Sequence, residues 1–227
     1  RIRTGTQFLA AYTYGRSIDY YSGTAVNELQ NIPGDQFNWR LNRGRSDFNR
    51  EQRLVISGVY DLPINYKKGL AAALLNNWQI AGMAVFQTGL PFSIENSNGT
   101  GLVSRANINP TFSGDATNVS LANLSTYFNA GAFVPSCPQV VTSTVICTGA
   151  YTSVNNPYFD PSNPFGNTER NLMTGPGQKN IDVSFIKLIP FTERVKGELR
   201  AEMFNIFNWV NYANPQNNIS VAGFGRI

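Results

Sequence analysis

Apolar and polar positions alternate with a period of two in several separate stretches of this 227-residue chain. The clearest runs from Val195 to Met203, where Lys196, Glu198, Arg200 and Glu202 take every even position and small or apolar residues every odd one. As a strand, such a segment puts one face in an apolar phase and the other in water. A soluble sandwich presents the same pattern, and Leu199, Met203 and Ile206 also fall at helical spacing, so the segment alone does not decide.

Other segments of similar length repeat it. Thr6 to Tyr14 sets Phe8, Ala10, Tyr12 and Tyr14 on one face against Gln7, Leu9, Ala11 and Thr13. Arg53 to Leu62 is a second predicted strand, stopped by Pro63, and Trp78 to Thr88 a third. The piece between them, Ile64 to Asn77, carries Lys67-Lys68-Gly69 as a turn signal. Asn180 to Leu188 is a fourth strand, the stretch from Val195 to about Trp209 a fifth, and Val221 to Ile227 begins a sixth.

The connections run long (about 15–50), short, very long (about 95–178), short (Pro190 to Glu193) and medium (Asn211 to Asn218). Alternation of tight turns with long loops is the pattern of an outer-membrane β-barrel. The expected fold is therefore all-β: a partial transmembrane antiparallel β-barrel of about six strands, the last truncated, with long extracellular loops. A sandwich remains the alternative, with Tyr12, Tyr14, Trp78, Phe86, Phe207 and Trp209 as core aromatics instead of girdle residues at the membrane interface. In the barrel, Lys196, Glu198, Arg200 and Glu202 face a wet lumen, because a charge against lipid is costly.

Composition narrows the chemistry. Charged residues are 14% of the chain, below the roughly 25% usual for soluble domains. The net charge of +4 is too weak and scattered to argue for nucleic acid. The tightest basic cluster, Arg40, Arg43, Arg45, Arg50 and Arg53, reads as a polar loop pairing with Asp35, Asp47 and Glu51. The chain has no His, which removes His-based triads, His general bases and His-liganded metals. Its most apolar window, Gly69 to Pro91, is interrupted by Asn76, Asn77, Gln79 and Gln87, short of the ~20 residues of a spanning helix. The chain opens on Arg1 without a leader, and its start reads as internal to a longer protein.

A family resemblance rests on several motifs in order. They are Tyr12-Thr13-Tyr14-Gly15-Arg16-Ser17-Ile18-Asp19, Ser57-Gly58-Val59-Tyr60-Asp61-Leu62-Pro63, and Trp78-Gln79-Ile80-Ala81-Gly82 followed by Gly89-Leu90-Pro91-Phe92. Further on come Phe128-Asn129-Ala130-Gly131-Ala132-Phe133, Phe165-Gly166-Asn167 with Arg170-Asn171, Gly175-Pro176-Gly177, and Arg200 through Asn208. Across nearly its whole length the chain resembles the C-terminal part of the barrel of Oar-like TonB-dependent receptors. The resemblance implies the outer membrane of a Gram-negative bacterium and energised uptake of a bulky, unidentified nutrient. Outer-membrane lipid and the inner-membrane TonB complex would be partners, the latter through a plug and coupling box that this chain lacks. A closing strand ending in an aromatic residue is also implied and is absent here.

Within the long loop, Phe128, Asn129, Phe133, Phe165, Asn167 and Arg170 lie nearest any substrate, either touching it or folding the loop, with folding the preferred role. Cys137 and Cys147 would form a disulfide in a cell-surface compartment, worth roughly 2–4 kcal/mol; two free thiols are the alternative. Glu198 and Glu202 share a face, but four residues of strand span about 13 Å, beyond the ~5–9.5 Å of a glycosidase pair. A salt-bridge ladder with Lys196, Arg200 and neighbouring strands is the better reading. Asp160-Pro161-Ser162-Asn163 lacks the spacing of a calcium loop, and Gly175-Pro176-Gly177 reads as a sharp entry to a strand rather than a phosphate cradle. No enzyme activity, metal or cofactor is expected. The rival functions are a surface adhesion or binding barrel without transport, and a soluble secreted carbohydrate-binding β-sandwich.

Overall fold

A computed structural model describes residues 5–22, 39–97, 103–136, 140–141, 144–145, 165–192 and 194–227. Cys137, Cys147, Asp35 and the Asp160 to Asn163 stretch lie outside the described residues. The chain divides into two compact units, a sheet and a module of connecting segments.

The sheet unit holds five antiparallel strands: β1 (Thr6–Tyr14), β2 (Gln52–Asp61), β3 (Trp78–Gln87), β4 (Gln178–Pro190) and β5 (Lys196–Met203). Each pairs with its neighbour in this order, a simple meander. Strict up-and-down order puts the connections after β1 and β3 at one end of the sheet and those after β2 and β4 at the other. The predicted asymmetry is thus real in space: the long connections leave from one end and the short ones from the opposite end. Gly175-Pro176-Gly177 does lead directly into β4.

Three elements differ from expectation by more than two residues. β5 stops at Met203 instead of running to Trp209, because Asn205 (φ 47°) and Asn208 (φ 50°) turn the backbone left-handed, which no strand accommodates. Asn205 then takes up Asp182 through its N–H (2.8 Å) and Trp209 through both side-chain atoms. The predicted sixth strand over Val221 to Ile227 is not formed; the segment is a run of turns with Gly223 at φ 86° and Gly225 at φ 83°. A period-two apolar pattern cannot become a strand through two residues at positive φ. The short piece before β3 contains a helix, α1 (Leu70–Leu75), in place of plain loop.

The second unit comprises residues 15–50, 89–176 and 212–227. The very long connection is therefore not structureless. Short antiparallel pairs build it: Ile18–Asp19 with Gly44–Arg45, Pro91–Phe92 with Met173–Thr174, Glu95–Ser97 with Val103–Arg105, and Asn107–Ile108 with Phe133–Val134. Its core is aromatic: Phe92, Tyr127, Phe128 and Phe133 are buried with Ile94 and Met173, and Phe224 packs edge-on to Phe128 at 5.1 Å. The C-terminal segment predicted as a strand thus supplies a core ring to this unit instead.

Candidate functional site

Register decides the two faces of the sheet, since residues directly opposite in an antiparallel ladder point the same way. Phe8, Gly58, Gly82, Val183 and Met203 form one row across all five strands. The rows on that face are apolar: Ala10, Ile56, Ala84 and Ile181, and beside them Tyr60, Ile80, Phe185 and Ala201. Its only charges, Lys179 and Lys187, stand near the two ends of β4. Each meets an indole: the Lys179 ammonium lies 4.7 Å from the Trp209 ring and that of Lys187 5.8 Å from Trp78. Trp209 also packs against Phe86 and stacks on Phe207. Amphipathic residues at the rims of an apolar band are what a bilayer interface selects.

The opposite face carries Arg53 and Asp61 of β2, Gln79 and Gln87 of β3, and Asn180, Asp182 and Ser184 of β4. Lys196, Glu198, Arg200 and Glu202 join it, with Ser184 opposite Glu202 and Ile186 opposite Arg200. The polar groups bond along the face: Gln79 donates to Asp61 (2.6 Å), Gln87 to Gln178 (2.8 Å) and Asn180 to Asp182 (2.7 Å). Arg200 sits between Glu198 (2.7 Å) and Glu202 (3.3 Å) and pairs with both. Of the ladder expected from the sequence, Arg200 and the two glutamates thus pair within β5.

In the loop module the six sequence-predicted residues are mostly builders. Phe128 and Phe133 are buried in the aromatic core, 5.8 Å apart. Asn129 caps a one-turn 3-10 helix by accepting from Gly131 N (3.0 Å). The Phe165 carbonyl accepts from Arg105 N, and Asn167 Oδ1 accepts from Ile108 N. Arg170 is 4% exposed and pairs with Asp19 and Asp47 while donating to Ser22 Oγ. The Asp19 carboxyl is raised by burial, but bonds from Arg170, Ser46 and Ser22 outweigh this and hold it below its ordinary value.

The residues that sequence reasoning missed complete this network. Asn171, held at φ 55°, donates to Asp47 Oδ1 (2.7 Å) and Arg45 O (2.6 Å). Arg45 donates to the carbonyls of Asn171, Leu172 and Met173 and to Thr174 Oγ1. Arg105 donates to Leu41 O, Asn42 Oδ1 and Thr168 O. Asp47 thus serves Arg170 and Asn171, both far away in sequence. Glu95 is buried, and its Oε1 has no hydrogen bond among the described residues. Burial pushes its carboxyl up to about 7, against a weaker opposing bond from Asn217.

One cleft of about 600 Å³ opens in this module. The half-buried rings of Phe112 and Phe224 line it together with Asp115, Asn118, Ser125, Thr126 and Asn129. It combines ring faces with hydrogen-bonding groups and the Asp115 carboxylate, a lining that suits a ligand.

A meander with one apolar and one charged face, aromatic-lysine rims, and its long connections at one end defines a transmembrane β-barrel protein. The chain belongs to the outer membrane beta barrel domain family, whose description matches residues 1–227. It is a protein of the outer membrane. No curated protein and no solved structure gives a match.

Proposed function

We propose that the chain forms part of the barrel of a TonB-dependent outer-membrane transporter of the Oar-like type, in a protein that imports a bulky nutrient. The observation that carries this reading is the loop module. Surface loops of a merely structural barrel need no buried aromatic core and no arginine network, yet Arg45, Arg105 and Arg170 knit segments from three parts of the chain into one folded body. Such a body, with a cleft, is suited to capture. The Lys196, Glu198, Arg200 and Glu202 face then lines the lumen, where charge is hydrated. Energy coupling would come from the inner-membrane TonB complex through a plug and coupling box elsewhere in the protein.

The reading frame that encodes these residues tests it. A plug and coupling box upstream are expected, together with in-cell crosslinking of that box to the inner-membrane complex. A frame with neither would end the transporter reading and leave a surface-exposed binding barrel, for which the same folded loop module is the supporting observation.

A further inference from the structure

The connection between β2 and β3 presents apolar side chains that the protein itself does not cover. In α1, Leu70 is 76% exposed, Leu74 57% and Leu75 44%, and no residue of the helix is buried. Six residues are too few for a helix to hold alone in water, and the bonds to its two cap residues are long, 3.2 Å for Ala73 N to Gly69 O and 3.3 Å for Asn76 N to Ala72 O. Yet the loop is deliberately closed: Asn76 Oδ1 accepts from Tyr66 N (2.8 Å) and its Nδ2 donates to Tyr66 O (2.9 Å).

The helix is also tied to the apolar face of the sheet. Trp78 Nε1 donates to Leu74 O (2.7 Å), and the Lys187 ammonium donates to Asn76 O. Both side chains belong to the lipid-side rows. From Leu62 to Trp78 the chain carries Lys67 and Lys68 and no acidic residue.

We infer that α1 is an interfacial anchor that lies on the phospholipid leaflet at the short-connection end of the sheet, with Lys67 and Lys68 recognising anionic headgroups. Continuity with the apolar face selects lipid as the occupant, and the adjacent Lys67 and Lys68 select the anionic kind. Leu70, Leu74 and Leu75 enter the headgroup and acyl boundary, and the helix gains there the stabilisation it lacks in water. The inference rests on the membrane assignment of the sheet and is independent of transport.

The test uses the full chain reconstituted in vesicles of phosphatidylcholine alone or with phosphatidylglycerol added. A Leu74→Cys variant, with Cys137→Ser and Cys147→Ser, carries an environment-sensitive fluorophore, and aqueous iodide reports its accessibility. The label is expected to be protected in anionic vesicles, and Lys67→Gln with Lys68→Gln to lower the docked-to-free ratio roughly 30-fold at ~1 kcal/mol per lysine. Hydrogen exchange over residues 70–76 in the unmodified chain is expected to slow on adding the anionic lipid. Equal iodide access in both vesicles would overturn the inference. So would protection that ignores both lipid charge and the lysines, which would place α1 against protein.

Discussion

Lys179 and Lys187 stand eight positions apart on the same face of β4, one over Trp209 and the other over Trp78. That separation is about 26 Å along a strand, or roughly 20 Å of depth at a tilt near 40°. With snorkelling at each end it brackets an apolar band of ~25 Å. Val183, halfway between the two lysines on β4, is then at the midplane. Leu199 is opposite Lys187 and lies at the rim.

Depth sets the cost of a charge on this face. Leu199→Arg is expected to cost only about 0–1 kcal/mol, because the arginine reaches the interface beside Lys187. Denaturant unfolding of the vesicle-inserted protein measures it.

Loss of Arg170 strikes the loop module. Arg170→Leu leaves Asp19 and Asp47 without their buried partner and is expected to destabilise that unit by about 3–5 kcal/mol. Because the folded Asp19 carboxyl lies below its ordinary value, this contribution is present above the unfolded value and is lost as pH falls through the folded one. Protease sensitivity of residues 89–136 and 165–176, compared at neutral and acidic pH, reads both effects.

Glu95 titrates with the opposite sign. Its carboxyl, raised from 4.5 to about 7 by burial, binds a proton more tightly folded than unfolded. The stabilisation from holding it neutral is full below pH 4.5 and disappears as pH rises through about 7, a swing on the order of 3 kcal/mol. Glu95→Gln is expected to flatten that dependence, measured as the protease resistance of the module between pH 5 and 8.

Gly166 holds φ 88°, and a Cβ there would fall 1.9 Å from Arg105 O. Gly166→Ala must move the backbone that carries Arg105, so a loss of about 1–3 kcal/mol is expected by thermal denaturation.

What could be read from the sequence was whatever is local. Alternation in Thr6 to Tyr14 and Lys196 to Met203 gave the strands and their faces, because period two is a property of neighbours. The same rule overran Asn205 and Asn208 and made a strand of Val221 to Ile227, since left-handed Asn and Gly residues interrupt a ladder without changing the apolar pattern. The helix at Leu70–Leu75 was hidden by its flanking turn residues and its six-residue length. The Arg45, Asp47, Arg170 and Asn171 network was out of reach, because its partners lie more than 120 residues apart and nothing local pairs them. Asn171 stood out only as part of a family motif, and Arg170 through that motif and as a candidate loop residue.

The central claim is that the two faces of the sheet meet different solvents, and Val183 and Ser184 test it as adjacent residues of one strand. Val183 is at the midplane on the apolar face, and Ser184 stands opposite Glu202 on the charged face. Equilibrium unfolding in phospholipid vesicles is expected to show Val183→Arg losing about 2–4 kcal/mol and Ser184→Arg changing by no more than about 0.5 kcal/mol. Equal losses, or a greater loss at Ser184, would contradict the assignment of the faces.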